Sequence, residues 1–83
     1  MENKISVFIG VVSEEKVKTI EVVKKLLEIP GVQKIWELTG SFDLLVFATS
    51  TSISDLNSVV ESIRACPGIK SETTFLILDS HSR

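Results

Sequence analysis

The chain repeats its own punctuation. Ile29-Pro30-Gly31-Val32 returns 37 residues later as Cys66-Pro67-Gly68-Ile69, and at the same offset Val22, Val23 and Leu26 find counterparts in Val59, Val60 and Ile63. The apolar positions have helical spacing. The Pro-Gly pair stops a helix because proline cannot extend it and glycine tolerates the left-handed turn that ends it. Each half therefore reads as helix, stop, strand. With one further strand ahead of each helix, the order is β-α-β-β-α-β. That order is the ferredoxin-like split βαβ plan, an α+β fold in which two helices cover one face of a four-stranded antiparallel sheet. Strands one and three are central in this plan, and the other sheet face has no helix.

The elements follow from local pattern. Residues 4–12 predict a strand with Ile5, Val7, Ile9 and Val11 on one face and Phe8 and Val12 on the other, beside Gly10. Ser13 reads as an N-cap, with Glu14 and Glu15 in the first turn, where the helix dipole favours negative charge. Val17, Ile20, Val23 and Leu27 form the expected apolar stripe, widened by Val22 and Leu26. Residues 32–39 and 43–50 predict the next two strands, joined by Gly40-Ser41-Phe42 as a hairpin in which glycine supplies a positive φ. Ser52, three residues before Asp55, has the spacing of a capping box, and Ile53, Leu56, Val59, Val60 and Ile63 make the second helical stripe. A last strand covers about residues 69–78, and the polar tail from Asp79 to Arg83 frays. The expectation is one domain over residues 1–83.

The central strands are apolar on both faces. Besides Phe8 and Val12, either Leu44, Val46 and Ala48 or Leu45 and Phe47 must face away from the helices. A monomer rarely leaves such a patch in water. At 83 residues the chain is also short for a self-sufficient core, and its single cysteine provides neither a disulfide nor a zinc cluster. Both arguments point to dimerisation through the sheets.

Nine basic against eleven acidic residues leave a net charge of −2, which supplies no basic face for direct DNA binding. No run approaches the ~20 apolar residues of a membrane span, and Met1-Glu2-Asn3-Lys4 is not the basic flank of a signal peptide. A cytoplasmic protein is expected. Catalysis is not: the single histidine, His81, lies in the tail, there is no tyrosine, and Cys66 sits at a helix C-terminus, where the dipole opposes a thiolate. No cofactor loop or metal-ligand spacing is present.

One polar constellation stands out at the hairpin: Thr39, Gly40, Ser41, Phe42 and Asp43. Glycine lets backbone N–H groups turn toward a carboxylate, and an aspartate beside them can accept from an ammonium group. The pair would suit a free amino acid. Ordinary turn chemistry explains the same residues, with Asp43 bonding only to neighbouring amides. Trp36 fits a half-buried place on an edge strand, and Thr73-Thr74 fit a solvated strand face.

Pro30-Gly31-Val32, the Thr39-Gly40-Ser41-Phe42-Asp43-Leu44 turn, Pro67-Gly68-Ile69 and Thr73-Thr74 together resemble the effector-binding (RAM) domain of the Lrp/AsnC transcriptional regulators, from about Ile5 to Leu78. The resemblance implies a dimer through the sheets, ring-like assembly of dimers, and an amino-acid effector bound between them. It places the ligand ammonium on Asp43, the carboxylate on the Gly40-Ser41 backbone, and Thr73 and Thr74 in the neighbouring wall. The family pattern has tyrosine where this chain has Phe42. Full-length members carry a helix-turn-helix domain ahead of the module. Here the first strand begins near residue 4, so the resemblance implies a stand-alone sensor, one that could work with a full-length Lrp/AsnC regulator. The alternatives are an adaptor oligomer with a vestigial site, and an ACT-like amino-acid-binding domain.

Overall fold

The computed structural model describes residues 4–83. Its elements run β1 (Ile5–Ser13), α1 (Thr19–Leu27), β2 (Val32–Glu37), β3 (Leu44–Ser50), α2 (Ile53–Ala65) and β4 (Ile69–Leu76). The four strands form one sheet in the order β2-β3-β1-β4, and every neighbouring pair is antiparallel. This is the ferredoxin-like plan, with β1 and β3 central.

Strand alternation divides the residues between two faces. Val7, Ile9 and Val11 of β1 and Leu44, Val46 and Ala48 of β3 are fully buried, packed with Val22, Leu26, Leu56, Val59, Val60 and Ile63 from the helices. The opposite face therefore carries Leu45 and Phe47, which resolves the alternative left open by the sequence. There Phe8 pairs with Phe47 across β1 and β3, their ring centroids 5.2 Å apart, and Phe8 lies 6.0 Å from the ring of Trp36. Phe75 pairs with Phe8 from the other side and is 46% exposed. Lys34 holds its Nζ 5.1 Å from the centre of the Trp36 ring, a cation–π contact at the rim.

The two Pro-Gly corners do more than end helices. Gly31 and Gly68 take φ values of +99° and +93°, which other residues rarely adopt. The carbonyl of Gly31 accepts from the N–H of Thr49 on β3 at 2.9 Å, and the carbonyl of Gly68 accepts from the N–H of Glu14 at 2.8 Å. A Cβ on Gly31 would meet Val59 of α2, and one on Gly68 would meet Val17 and Val22. Each corner is seated on the opposite half of the chain.

The first helix begins later than expected. Ser13 is the last residue of β1, paired with Ile69, and Glu14 and Glu15 lie in the following loop. Helix α1 starts at Thr19 with Lys18 as N-cap and no side-chain cap bond, so Glu21 is the acidic residue of its first turn. The buried stripe is correspondingly Val22 and Leu26, while Ile20 is 54% exposed. Strand pairing to β4 outcompetes the capping signal, because it satisfies backbone groups on a buried central strand. The second helix starts as predicted: Ser52 Oγ accepts from the N–H of Asp55 at 3.1 Å. The reciprocal half of the capping box is replaced, since the Ser52 N–H donates to Ser50 Oγ rather than to Asp55. Strands β2, β3 and β4 are shorter than predicted, leaving Leu38–Asp43 as the hairpin loop.

Two substitutions test this packing. Ile63→Ala removes a fully buried side chain of α2 and is expected to cost about 2–5 kcal/mol in denaturant unfolding. Ser52→Ala removes the one side-chain cap of that helix and is expected to cost about 1 kcal/mol by the same measurement.

Candidate functional site

Thr39 to Asp43 lie at the end of the sheet where β1 finishes and the β2–β3 loop turns, while Thr73 and Thr74 lie on β4. Gly40 has φ +111°, and nothing lies within 4 Å of a Cβ built on it. Backbone conformation rather than space therefore requires glycine there, as the hairpin reading expected. Thr39, Gly40 and Ser41 are exposed, so their polar groups face solvent. The loop closes through the Leu38 N–H, which donates to the Asp43 carbonyl at 2.9 Å.

Asp43 docks the loop on β1. Its N–H donates to the Val11 carbonyl at 2.9 Å. Its carboxylate Oδ2 accepts from the Ser13 N–H at 2.8 Å and from the Ser13 hydroxyl at 3.2 Å, across thirty positions of sequence. These charge-assisted bonds are stronger than those of a neutral pair. Oδ1 makes no hydrogen bond among the described residues and is not fully buried. Phe42 is half-buried. Its ring lies flat over Gly10 on the open sheet face and meets Phe75 edge-on, with centroids 6.0 Å apart.

The two threonines do not stand together. Thr73 pairs with Gly10 and lies on the face that carries Phe42. Thr74 pairs with Ile9 and points to the helix side, where its hydroxyl donates to Glu72 Oε2 at 3.0 Å. The other oxygen of Glu72 accepts from Arg64 Nε of α2 at 2.7 Å. Thr74 thus belongs to a network that ties the edge strand to α2. Only Thr73 shares a face with Phe42.

Sequence reasoning missed Ser13 and Gly10. Ser13 carries the local signal of a helix cap, and its Asp43 partner, thirty positions away, is too distant in sequence to suggest itself. Gly10 carried a usable signal, since a glycine inside an apolar strand often marks close approach of another group. A concavity of about 450 Å³ lies at the opposite end of the sheet, lined in part by Pro30, Gly31, Thr49, Ser58 and Val59, and none of the predicted site residues borders it.

The remaining reactive groups lie elsewhere. His81 is exposed in the tail, 3.9 Å from Asp79. Cys66 is a half-buried free thiol at the end of α2; burial pushes its pKa up, and Lys25 opposes the shift. Among the described residues no three His, Cys, Asp or Glu side chains cluster as a metal site, and no helix is long and apolar enough to cross a membrane. Alkylation of Cys66 is expected to be slower than that of a free cysteine at pH 8, with its rate rising at higher pH than for the free thiol. Asp43→Ala should cost about 1–3 kcal/mol in denaturant unfolding, and Ser13→Ala less, because the Ser13 N–H bond survives.

The same architecture occurs in known proteins. Residues 6–83 match the family model of the Lrp/AsnC ligand binding domain. The HTH-type transcriptional regulator LysM of Saccharolobus solfataricus is 35% identical over 78 residues, which cover 94% of this chain and 55% of LysM. Homocitrate synthase of Sulfurisphaera tokodaii is 38% identical over 74 residues, 89% of this chain but only 16% of the enzyme. The chain thus spans about half the length of LysM and a small part of the synthase. Among solved structures, the L-Met complex of a transcriptional regulator from Neisseria meningitidis superposes with a TM-score of 0.84 at 20% identity, covering 95% of this chain and 53% of that one. With the family match spanning all six secondary-structure elements, the chain belongs to the Lrp/AsnC ligand-binding domain family.

Proposed function

We propose that this chain is an oligomeric, regulatory sensor of a free amino acid, acting on transcription or amino-acid metabolism through a partner regulator rather than by catalysis. The observation that carries this reading is the hairpin. The exposed Gly40-Ser41 segment stands beside Asp43, whose Oδ2 is held by Ser13 while Oδ1 has no partner among the described residues. A fixed carboxylate next to unpaired amides complements an ammonium and a carboxylate on one small molecule. The related fold from Neisseria with bound L-Met supports the ligand class. The LysM match supports an output on transcription, and the match to a small part of homocitrate synthase supports the same module serving a metabolic enzyme.

The loop offers only one wall of a site, because Thr39, Gly40 and Ser41 project into solvent. A second subunit supplies the other wall in this reading. Dimerisation covers the open face of Phe8, Leu45, Phe47, Trp36 and Phe75, and dimers join in a ring-like assembly. Ligand bound between subunits then shifts assembly by mass action.

A second reading has its own support. Asp43 already has two donors from Ser13, so it can serve purely as a loop anchor in an adaptor oligomer with a vestigial site. Light scattering with and without amino acids separates the two, since only a sensor changes its assembly on binding.

Calorimetry against the twenty amino acids is expected to find at least one ligand. Asp43→Asn keeps an oxygen for Ser13 but removes the charge, and should lower that affinity at least tenfold with little change in stability. Unchanged affinity would remove the ammonium contact, and no binding by any of the twenty would sink the sensor reading. Phe47→Asp places a charge on the open sheet face and is expected to give monomers by light scattering with the circular dichroism of the parent.

A further inference from the structure

The contact between Gly10 and Phe42 is the least replaceable one at the site. A Cβ built on Gly10 falls 2.7 Å from Cδ1 of Phe42 and 2.8 Å from both Cγ and Cε1. Those three atoms span one side of the ring, so the ring lies flat on the glycine rather than touching it by a tip. Rotation about the Cβ–Cγ bond leaves Cγ where it is, so the clash is relieved only by a χ1 change that swings the whole ring off the sheet face, or by a shift of the backbone. Any side chain at position 10 would therefore unseat the Phe42 ring, which must swing away or carry its backbone with it.

Gly10 has no other need to be glycine. Its φ is not positive, and it sits fully paired between Leu45 on β3 and Thr73 on β4. Glycine weakens a central strand, where Val, Ile or Thr would pack better. The space it vacates is filled by the one aromatic residue of the loop.

We propose that Gly10 is a positioning residue for the ligand loop: its bare Cα is the seat of the Phe42 ring, and that seat sets where the Gly40-Ser41 amides and the Asp43 carboxylate stand. This inference rests on the amino-acid reading of the hairpin and adds to it a residue that makes no ligand contact. The seat works with two neighbouring bonds, Asp43 N–H to the Val11 carbonyl and Ser13 to the Asp43 carboxylate. Residues 10–13 of β1 thereby hold three successive points of the loop. Because the ring also meets Phe75 on the open face, the same contact links the loop to the surface through which subunits pair.

Two measurements test the seat. The first needs no ligand: a ring lying over Gly10 shields its Hα, which should resonate well upfield in the NMR spectrum and return to an ordinary position in Phe42→Ala. An Hα at an ordinary shift in the parent protein overturns the seat. The second is a double-mutant cycle read by calorimetry with whichever amino acid the parent binds, on proteins of matched oligomeric mass. Gly10→Ala is expected to lower affinity at least tenfold, and Phe42→Ala to lower it comparably. Gly10→Ala added to Phe42→Ala should then cost nothing further, because the displaced ring is already gone. Additive losses would mean that Gly10 acts on stability alone and would overturn the positioning role, as would an unchanged affinity in Gly10→Ala. A parent protein that binds none of the twenty overturns the amino-acid reading and the positioning role with it, while the shielded Hα would still report the packing.

Discussion

Two helices cover one side of a sheet whose central strands are apolar on both sides. The rest of the molecule answers to that imbalance. Val7, Ile9, Val11, Leu44, Val46 and Ala48 disappear beneath α1 and α2. Their neighbours Phe8, Leu45 and Phe47 lie on the helix-free face together with Trp36 and Phe75. The tilted aromatic rings shield part of this surface but leave it apolar. The chain spends one of its own loop residues on the same face: Phe42 folds back over Gly10 instead of pointing into water. A single ring thus belongs both to the polar loop and to the apolar face.

The polar side of the loop is organised by β1 as well. Ser13 offers two donors to one carboxylate oxygen, and Val11 offers its carbonyl to the amide of the same aspartate. These bonds pin the base of the loop on β1 while its tip stays exposed. The charged network at Arg64, Glu61, Glu72 and Thr74 is different in kind. The Arg64–Glu61 pair is exposed on both sides and contributes little to stability, whereas the Glu72 side chain is only 9% exposed, so its 2.7 Å bond to Arg64 is partly shielded from water and ties β4 to α2.

Much of this was legible in the sequence, for reasons that differ by element. The Pro-Gly repeat and the two periodicities, 2 and 3.6, sufficed for the order of elements and for the centrality of β1 and β3, because each is a local signal. The capping pair Ser52 and Asp55 was legible for the same reason. Ser13 was misread since its local signal, a serine before acidic residues, is a common helix start, whereas its partners Ile69 and Asp43 are distant in sequence. The length of the hairpin loop was underestimated because Leu38, Thr39 and Asp43 suit a strand end as well as a turn. Thr73 and Thr74 were grouped as neighbours, although strand alternation sends adjacent side chains to opposite faces. Which apolar set of β3 faces the helices could not be read locally either, since both sets are apolar and only the packing of α1 and α2 decides.

The two left-handed glycine corners have a meaning beyond stopping helices. Gly31, from the first half, is clamped by Thr49 and abuts Val59, both from the second; Gly68, from the second half, is clamped by Glu14 and abuts Val17 and Val22, all from the first. The exchange is reciprocal, as between two copies of a half-length chain related by a two-fold axis. Neither half owns the contacts that finish it, so the repeat is not two small modules laid side by side. It is an embrace closed within one polypeptide, in which each half supplies the contacts that seat the other's corner.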